Sequence, residues 1–373
     1  MKKLFLGLIL IIPIFLAACT HDMSRKEIDE IDLVLVLGID YNDDEFTLSA
    51  LYSTGQGADP EQGTGSGAEA IAKGSGKTAF EALENLKLKN KKAISIAQTG
   101  SFLIGEGAAK QGLDQCIDFL SRDETIKMEA LIYVIKEKKA SEFIQEGIDN
   151  KQTIHEDLEA VEQKQQEQLT RNDNTMVNIL NDMRQEYSCV MIPYLIADKS
   201  GYSIDGYTVF DQLKLKDYLD HETSDGVNFI RNIMRSYPIY LEEAGLLISY
   251  TNTKLKSKVQ DDLIKITIKV SFDSMVKEVL SKENIFELSR MERLTAKQNE
   301  YISNIIKKPV TYSLNHGLDI LNLARLVEND NFNEWKDIKK NWSEEITKID
   351  YEYELQSRIS KTFILGNENN KYK

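Results

Sequence analysis

Histidine and cysteine are scarce in this chain, with four histidines and three cysteines among 373 residues. His21, His155, His221 and His316 are scattered, and His155-Glu156-Asp157 lacks the second histidine four residues on that a zinc-protease helix requires. No serine stands in a Gly-x-Ser-x-Gly elbow. The sequence therefore offers no catalytic residue, no metal ligand set and no cofactor-binding residue. Basic charge is also in deficit: 46 Lys and Arg face 60 Asp and Glu, a net charge of -14. That balance argues against nucleic acid, which needs a basic footprint, and against a body held flat on anionic lipid by its charge. Long apolar runs are missing too. The longest, Leu4 to Phe15, is interrupted by Pro13, whereas a permanent membrane span needs about 20 apolar residues.

What is present begins with that short run. Lys2-Lys3, the apolar core and the closing Leu16-Ala17-Ala18-Cys19 have the layout of a cleaved signal peptide, residues 1–18, cut between Ala18 and Cys19. The last four residues resemble the bacterial lipobox, in which the cysteine thiol is diacylated. Two acyl chains suit an anchor because one binds only marginally. Cys19 is thus the expected lipidation site. Removing Lys2 and Lys3 takes the net charge from -14 to -16. Cys116 and Cys189 remain; they could pair, but Cys116 lies in the helical pattern of Leu113, Ile117 and Leu120, where a buried thiol is the commoner outcome.

Along the chain, Thr20 to Glu30 reads as a polar tether. Ile31 to Asp40, a turn at Asn42-Asp43-Asp44 and the alternating Phe46, Leu48, Ala50 and Tyr52 read as a hairpin. Gly55 to Gly67 reads as a surface loop. Gly74-Ser75-Gly76-Lys77-Thr78 ends like a phosphate loop, but Ile71 occupies the position where that motif needs its first glycine. No strong apolar strand precedes it. The better reading is a turn whose Thr78 caps a helix, with Glu81 three residues on. Strand chemistry follows at Ile94 to Ile104, a helix at Glu106 to Leu120, a strand at Met128 to Ile135 and a short helix at Ala140 to Gln145.

Ile154 to Tyr187 reads as a solvated helix or pair of helices joining two domains, since Glu162 to Gln168 is wholly polar. Gly201 to Phe210 reads as a hairpin arm followed by a short helix at Gln212 to Leu219. Thr223 to Tyr240 shows no clear pattern. Beyond it, Ile248 and Tyr250 begin a strand, and Ile264, Ile266, Ile268 and Val270 alternate as one with a single buried face. A long helix is expected from Asn284 to Ile306 with Pro309 as its exit. Helices at His316 to Val327 and Phe332 to Trp342 precede a last strand from Ile349, which returns to the same sheet. Trp335 and Trp342 fall on one side of a helix, as core anchors. The expected fold class is α+β, a multi-domain ectodomain of mixed sheets with packed helices. Residues 19–190 form an N-terminal α/β domain with its helical connector, and 191–373 a C-terminal α+β region open to a split near 245.

The order of these features resembles the Ger(x)C lipoproteins, the C subunits of nutrient germinant receptors of spore-forming bacteria. The resemblance rests on Cys19; on Arg25-Lys26-Glu27-Ile28 and Leu37-Gly38-Ile39-Asp40; and on Gly76, Thr78, Glu81 and Ala82. It continues through Ile104-Gly105-Glu106 with Ala109 and Gly112, Asp118 to Asp123, Gly206 to Phe210 with Leu213, and Asp319-Ile320 with Trp335, Trp342 and a closing strand to Gly366. Thr20, His21 and Asp22 replace the tryptophan often found after the lipidated cysteine. The resemblance implies a three-domain, non-enzymatic subunit on the outer face of the spore's inner membrane. It implies as partners a multi-span A subunit and a transporter-like B subunit. Two rival readings are a solute-binding lipoprotein of a transporter and a lipid-anchored hydrolase, the latter without a nucleophile or metal constellation to support it.

Overall fold

The computed structural model of the protein describes residues 30–53, 69–198, 201–261, 263–281, 285 and 287–360. The signal segment, Ala18, Cys19, nearly all of the tether, the Gly55 to Gly67 loop and the reach of the last strand to Gly366 lie outside the described residues.

The described chain opens as the expected hairpin. β1 (Ile31–Asn42) and β2 (Glu45–Ser53) pair antiparallel, and Asp43 and Asp44 between them have φ of 51° and 62°. Two left-handed residues give the turn whose twist matches that of the flanking strands, and Asp accepts this conformation more readily than most side chains. A strand does precede the Gly-Lys-Thr segment: β3 (Glu69–Gly76) pairs with β2. Its glycines lie against helix α1 (Ala79–Lys89). A Cβ on Gly74 would overlap the backbone of Ala82 and Leu86, and one on Gly76 would come within 2.7 Å of the Ala82 nitrogen. These glycines permit close packing of strand on helix. Thr78 caps α1 as read, its hydroxyl oxygen accepting from the Glu81 N–H at 3.1 Å while the Glu81 carboxylate accepts from the Lys77 N–H at 2.8 Å.

β4 (Ala93–Ser95) and β5 (Ser101–Gly105) run parallel to β1. The single helix expected over Glu106 to Leu120 is two, α2 (Glu106–Gln111) and α3 (Leu113–Ser121), because Gly112 between them takes a φ of 155° that no helix can continue through. Then come β6 (Leu131–Ile135), α4 (Ala140–Asp149), α5 (Ile154–Gln168), α6 (Met176–Asp182), β7 (Val190–Asp198), β8 (Gly201–Asp211) and β9 (Lys214–Tyr218). Strand β9 replaces the helix expected at Gln212 to Leu219. Gln212 and Leu213, with φ of 48° and 63°, turn the chain back onto β8.

The sheet order is β3-β2-β1-β5-β6-β7-β8-β9, with β4 beside β1. Its middle is parallel and both flanks are antiparallel. Phe102, Ile104, Ile132 and Val134 pack with α1 and α3 on one face; Leu103, Leu131, Tyr133 and Ile135 pack with α4 and α5 on the other. Cover on both faces explains why these central strands read as unbroken apolar runs. β7, β8 and β9 extend this sheet although they follow residue 190, where the sequence places a change of domain. Residue 245 falls within a hairpin of the second sheet.

That second sheet has the order β10-β11-β12-β13, from β10 (Tyr237–Tyr240), β11 (Ala244–Gln260), β12 (Leu263–Val279) and β13 (Asp350–Ser360). The closing strand does return to the same sheet, parallel to β12. Between come α8 (Leu288–His316), α9 (Leu323–Asp330), α10 (Phe332–Ile338) and α11 (Trp342–Glu345), while α7 (His221–Ile230) precedes β10. Pro309 does not end α8, which runs on to His316 and stops at Gly317 with φ 64°. Proline leaves the Ile305 carbonyl without its helical donor. Gly226 of α7 crosses there, so closely that a Cβ would sit 2.5 Å from the Ile305 oxygen and 2.7 Å from the Pro309 ring. Trp335 and Trp342 lie on α10 and α11, joined by a 3-10 turn, and meet edge-to-face at 5.2 Å in the core. Cys189, Met191, Tyr207 and Val209 of the first sheet's strands and approaches share a core with β11, β12 and α8. Cys116 and Cys189 are buried free thiols in separate clusters.

Candidate functional site

A cavity lies where α5, β8 and α7 meet. Asp220 caps α7, accepting from the Thr223 N–H at 2.7 Å. The cap fixes the helix so that His221, Ser224, Asp225 and Asn228, at helical spacing, present one polar face. Opposite, the ladder between β7 and β8 shifts register at Tyr194/Leu195, and Gly206 beside the shift takes φ 151°. A Cβ at Gly206 would overlap the Leu219 carbonyl oxygen. This close approach brings the Tyr207 N–H to Ser224 Oγ at 3.0 Å and lets the Tyr207 hydroxyl donate to Asn228 Oδ1 at 2.8 Å.

The third wall is α5, which is more than a solvated connector. Ile154, Leu158 and Val161 are buried in the first sheet's core. Its C-terminal end is tied down: the Gln168 carbonyl accepts from the Arg235 and Ser236 N–H groups at 2.7 and 3.0 Å, and the Thr170 N–H donates to the Ile233 carbonyl at 2.8 Å. Lys164, Gln165 and Gln168 consequently line a cavity of about 210 Å³ together with Tyr202, Tyr207 and the polar face of α7.

Asp225 dominates the electrostatics. It is 7% exposed, and burial pushes its carboxyl up to about 6, opposed in part by the neighbouring His221 and by a hydrogen bond from Tyr237. Oδ2 of Asp225 has no hydrogen-bond donor among the described residues, and His221 Nε2 stands 3.6 Å away. Gln165 Oε1 is likewise buried and unpaired. Two orphan acceptors therefore belong to residues of one cavity.

The residues singled out in the sequence play other parts. Cys19 and Ala18 fall outside the described residues. His155 pairs with Glu69 and tethers the start of α5 to β3. Asp40 of β1 is buried and accepts from the Ala140 and Ser141 N–H groups at 2.6 and 2.9 Å, which caps α4 from a distance. Gly38 leaves space for the same helix, where a Cβ would lie 3.0 Å from Ile144 and 3.1 Å from Ala140. Asp319 does for α9 what Asp40 does for α4, accepting from the Leu323 and Ala324 N–H groups at 2.8 Å each. The resemblance-bearing residues thus include several that place helices. The cavity itself falls mostly in residues that the sequence left unread. Its available signal is a polar stripe at positions 221, 224, 225 and 228 beside apolar Val227, Phe229 and Ile230. Among the described residues no group of His, Cys, Asp and Glu could hold a metal ion, and no helix is long and apolar enough to cross a membrane.

Residues 24–197 match the family model of the spore germination protein N-terminal domain, and residues 205–362 match that of the spore germination B3/GerAC-like C-terminal domain. The fold is similar to that in a crystal structure of the GerBC protein, with a TM-score of 0.56 and 16% identity over 87% of this chain and 96% of that one. No curated protein matches the sequence. With two successive germination-protein models covering most of its length and the fold of GerBC behind them, the chain belongs to the Ger(x)C family of spore germination proteins.

Proposed function

We propose that this protein is the lipid-anchored C subunit of a nutrient germinant receptor, needed for assembly or signalling of the receptor and carrying out no chemistry of its own. In this reading Cys19, freed by cleavage after Ala18 and diacylated, holds the body on the outer face of the spore inner membrane beside the A and B subunits. The observation that carries the reading is the match of both germination domains in succession over residues 24–362. The lipobox-like Leu16-Ala17-Ala18-Cys19 supports the anchor.

The geometry of the body's start fits it. Twelve residue steps separate Cys19 from Ile31, a reach of at most about 40 Å. Beside the first turn of β1, the Asn90 side chain donates to Asp32 at 2.8 Å, and the adjoining Leu88 is 82% exposed among the exposed Lys89, Lys91 and Lys92. A lipid-tethered body would bring this corner to the bilayer, where lysines are favoured near anionic headgroups.

Cys19→Ala should move the protein from the membrane to the supernatant fraction. Retention of the whole population on membranes after a high-salt wash would count against the anchor. Deleting the gene should abolish the response to one class of nutrient germinant and leave sporulation intact; unchanged germination across a nutrient panel would sink the receptor assignment.

A further inference from the structure

We propose that the cavity between α5, β8 and α7 binds a small molecule carrying a primary ammonium group, with Asp225 as the counter-ion. Three observations on the walls point to a hydrogen-bond donor of positive charge. The cavity is lined by a carboxylate that is only 7% exposed. One of its oxygens, and the side-chain oxygen of Gln165 across the cavity, lack donors among the described residues. Both orphans are acceptors, so a ligand that brings N–H groups satisfies them and one that brings acceptors does not.

The protein's own groups fill that role only in part: Tyr237 donates a hydrogen bond to the Asp225 carboxylate, but Oδ2 is left without a donor among the described residues. The Asn228 carbonyl oxygen is taken by the Tyr207 hydroxyl, and Ser224 Oγ accepts from the Tyr207 N–H while donating to the Asp220 carbonyl at 2.8 Å. His221 stands at 3.6 Å with a side chain 63% exposed, so solvent screens much of its attraction. Buried charges in proteins are paired as a rule, and a carboxylate retained in a cleft against its desolvation marks a candidate site. Size sets the ligand class: an engineered cavity of about 150 Å³ holds one benzene, so 210 Å³ admits a compound of amino-alkane size. The Tyr202 and Tyr207 rings and Val161 supply apolar wall for its carbon chain. This inference rests on the cavity alone and stands whether or not the receptor assignment does.

The test is a thermal-shift and calorimetric titration of the full-length protein in detergent with n-butylammonium, using 1-butanol and butyrate as size-matched controls. Butylammonium should raise Tm saturably, as a ligand of the folded state must, and the controls should not. Asp225→Asn should fold with an unchanged circular dichroism spectrum and bind the amine at least about tenfold more weakly. Gln165→Leu, which alters a different wall, should also weaken it. An equal response to 1-butanol, a folded Asp225→Asn protein that responds like wild type, or no response at saturating amine would each overturn the proposal.

Discussion

Asp225 makes the cavity visible in a pH titration. Its carboxyl titrates near 6 when folded against 3.8 for the free group, so the folded state holds a proton that the unfolded state has released between those values. Stability should therefore fall as pH rises from about 4 to about 6 and level off above. The full difference is on the order of 3 kcal/mol. Asp225→Asn removes the buried charge, so the difference in stability between wild type and variant should carry that slope, with the variant above wild type at pH 7.5. Gly206 tests the backbone of the same site. At φ 151° and with the Leu219 carbonyl where a Cβ would stand, Gly206→Ala should cost about 3 kcal/mol or more in denaturant unfolding. Gly201, also at positive φ but with open space around it, should tolerate alanine at the smaller cost of its backbone strain alone.

At the scale of elements, the long second sheet protects one edge with side chains. β10 covers β11 only over Gly245 to Ile248. Farther along, the Thr253, Ser257 and Val259 N–H groups donate to Asn232 Oδ1 at 2.7 Å, Asp330 Oδ2 at 2.8 Å and Asn331 Oδ1 at 3.0 Å. Side chains in place of a neighbouring strand leave no template for another chain. Replacing Asp330 and Asn331 together with alanine should lower stability by about 2 kcal/mol and raise light scattering on warming, because the edge opens. An unchanged scattering profile would show that α9 shields the edge by bulk alone.

Elements were legible in the sequence wherever a local signal and the tertiary environment agreed. Ile264 to Val270 and the strand from Ile349 alternate because one face of each is buried, and Thr78 with Glu81 announces a helix start that the fold keeps. The misread elements are those where packing outweighs the local rule. Gln212 and Leu213 carry no turn signal, yet they adopt left-handed conformations where the Leu213 carbonyl receives the Leu113 N–H at 2.7 Å. Pro309 signals a helix end, but the crossing of Gly226 encloses the freed carbonyl. The cavity was hidden for a related reason: its walls come from three segments, and no single stretch carries its chemistry.

For the whole molecule, the first sheet and the second are built from interleaved parts of the chain. β7 to β9 complete a sheet begun more than 150 residues earlier, and the Cys189 N–H donates to the Asp319 carbonyl at 2.9 Å, joining the exit of the first region to the loop before α9. Urea unfolding followed by fluorescence at Trp335 and Trp342 and by far-ultraviolet circular dichroism should give coincident transitions. Separate midpoints would show that the two sheets unfold independently.

The parallel pairing of β13 with β12 bears on the order in which the chain becomes safe from aggregation. β12 is finished at Val279, but its partner spans Asp350–Ser360, so the pairing waits for a crossover through four helices. Until that last strand arrives, the edge from Lys265 to Met275, which carries Ile266, Ile268, Val270 and Phe272, stands open, and parallel pairing across so long a connection is slow to form. A chain cut short before residue 350 would keep that edge permanently. The C-terminal strand therefore acts as a latch: once β13 is paired, that edge of β12 is covered, and a chain that stops short of it leaves the edge displayed.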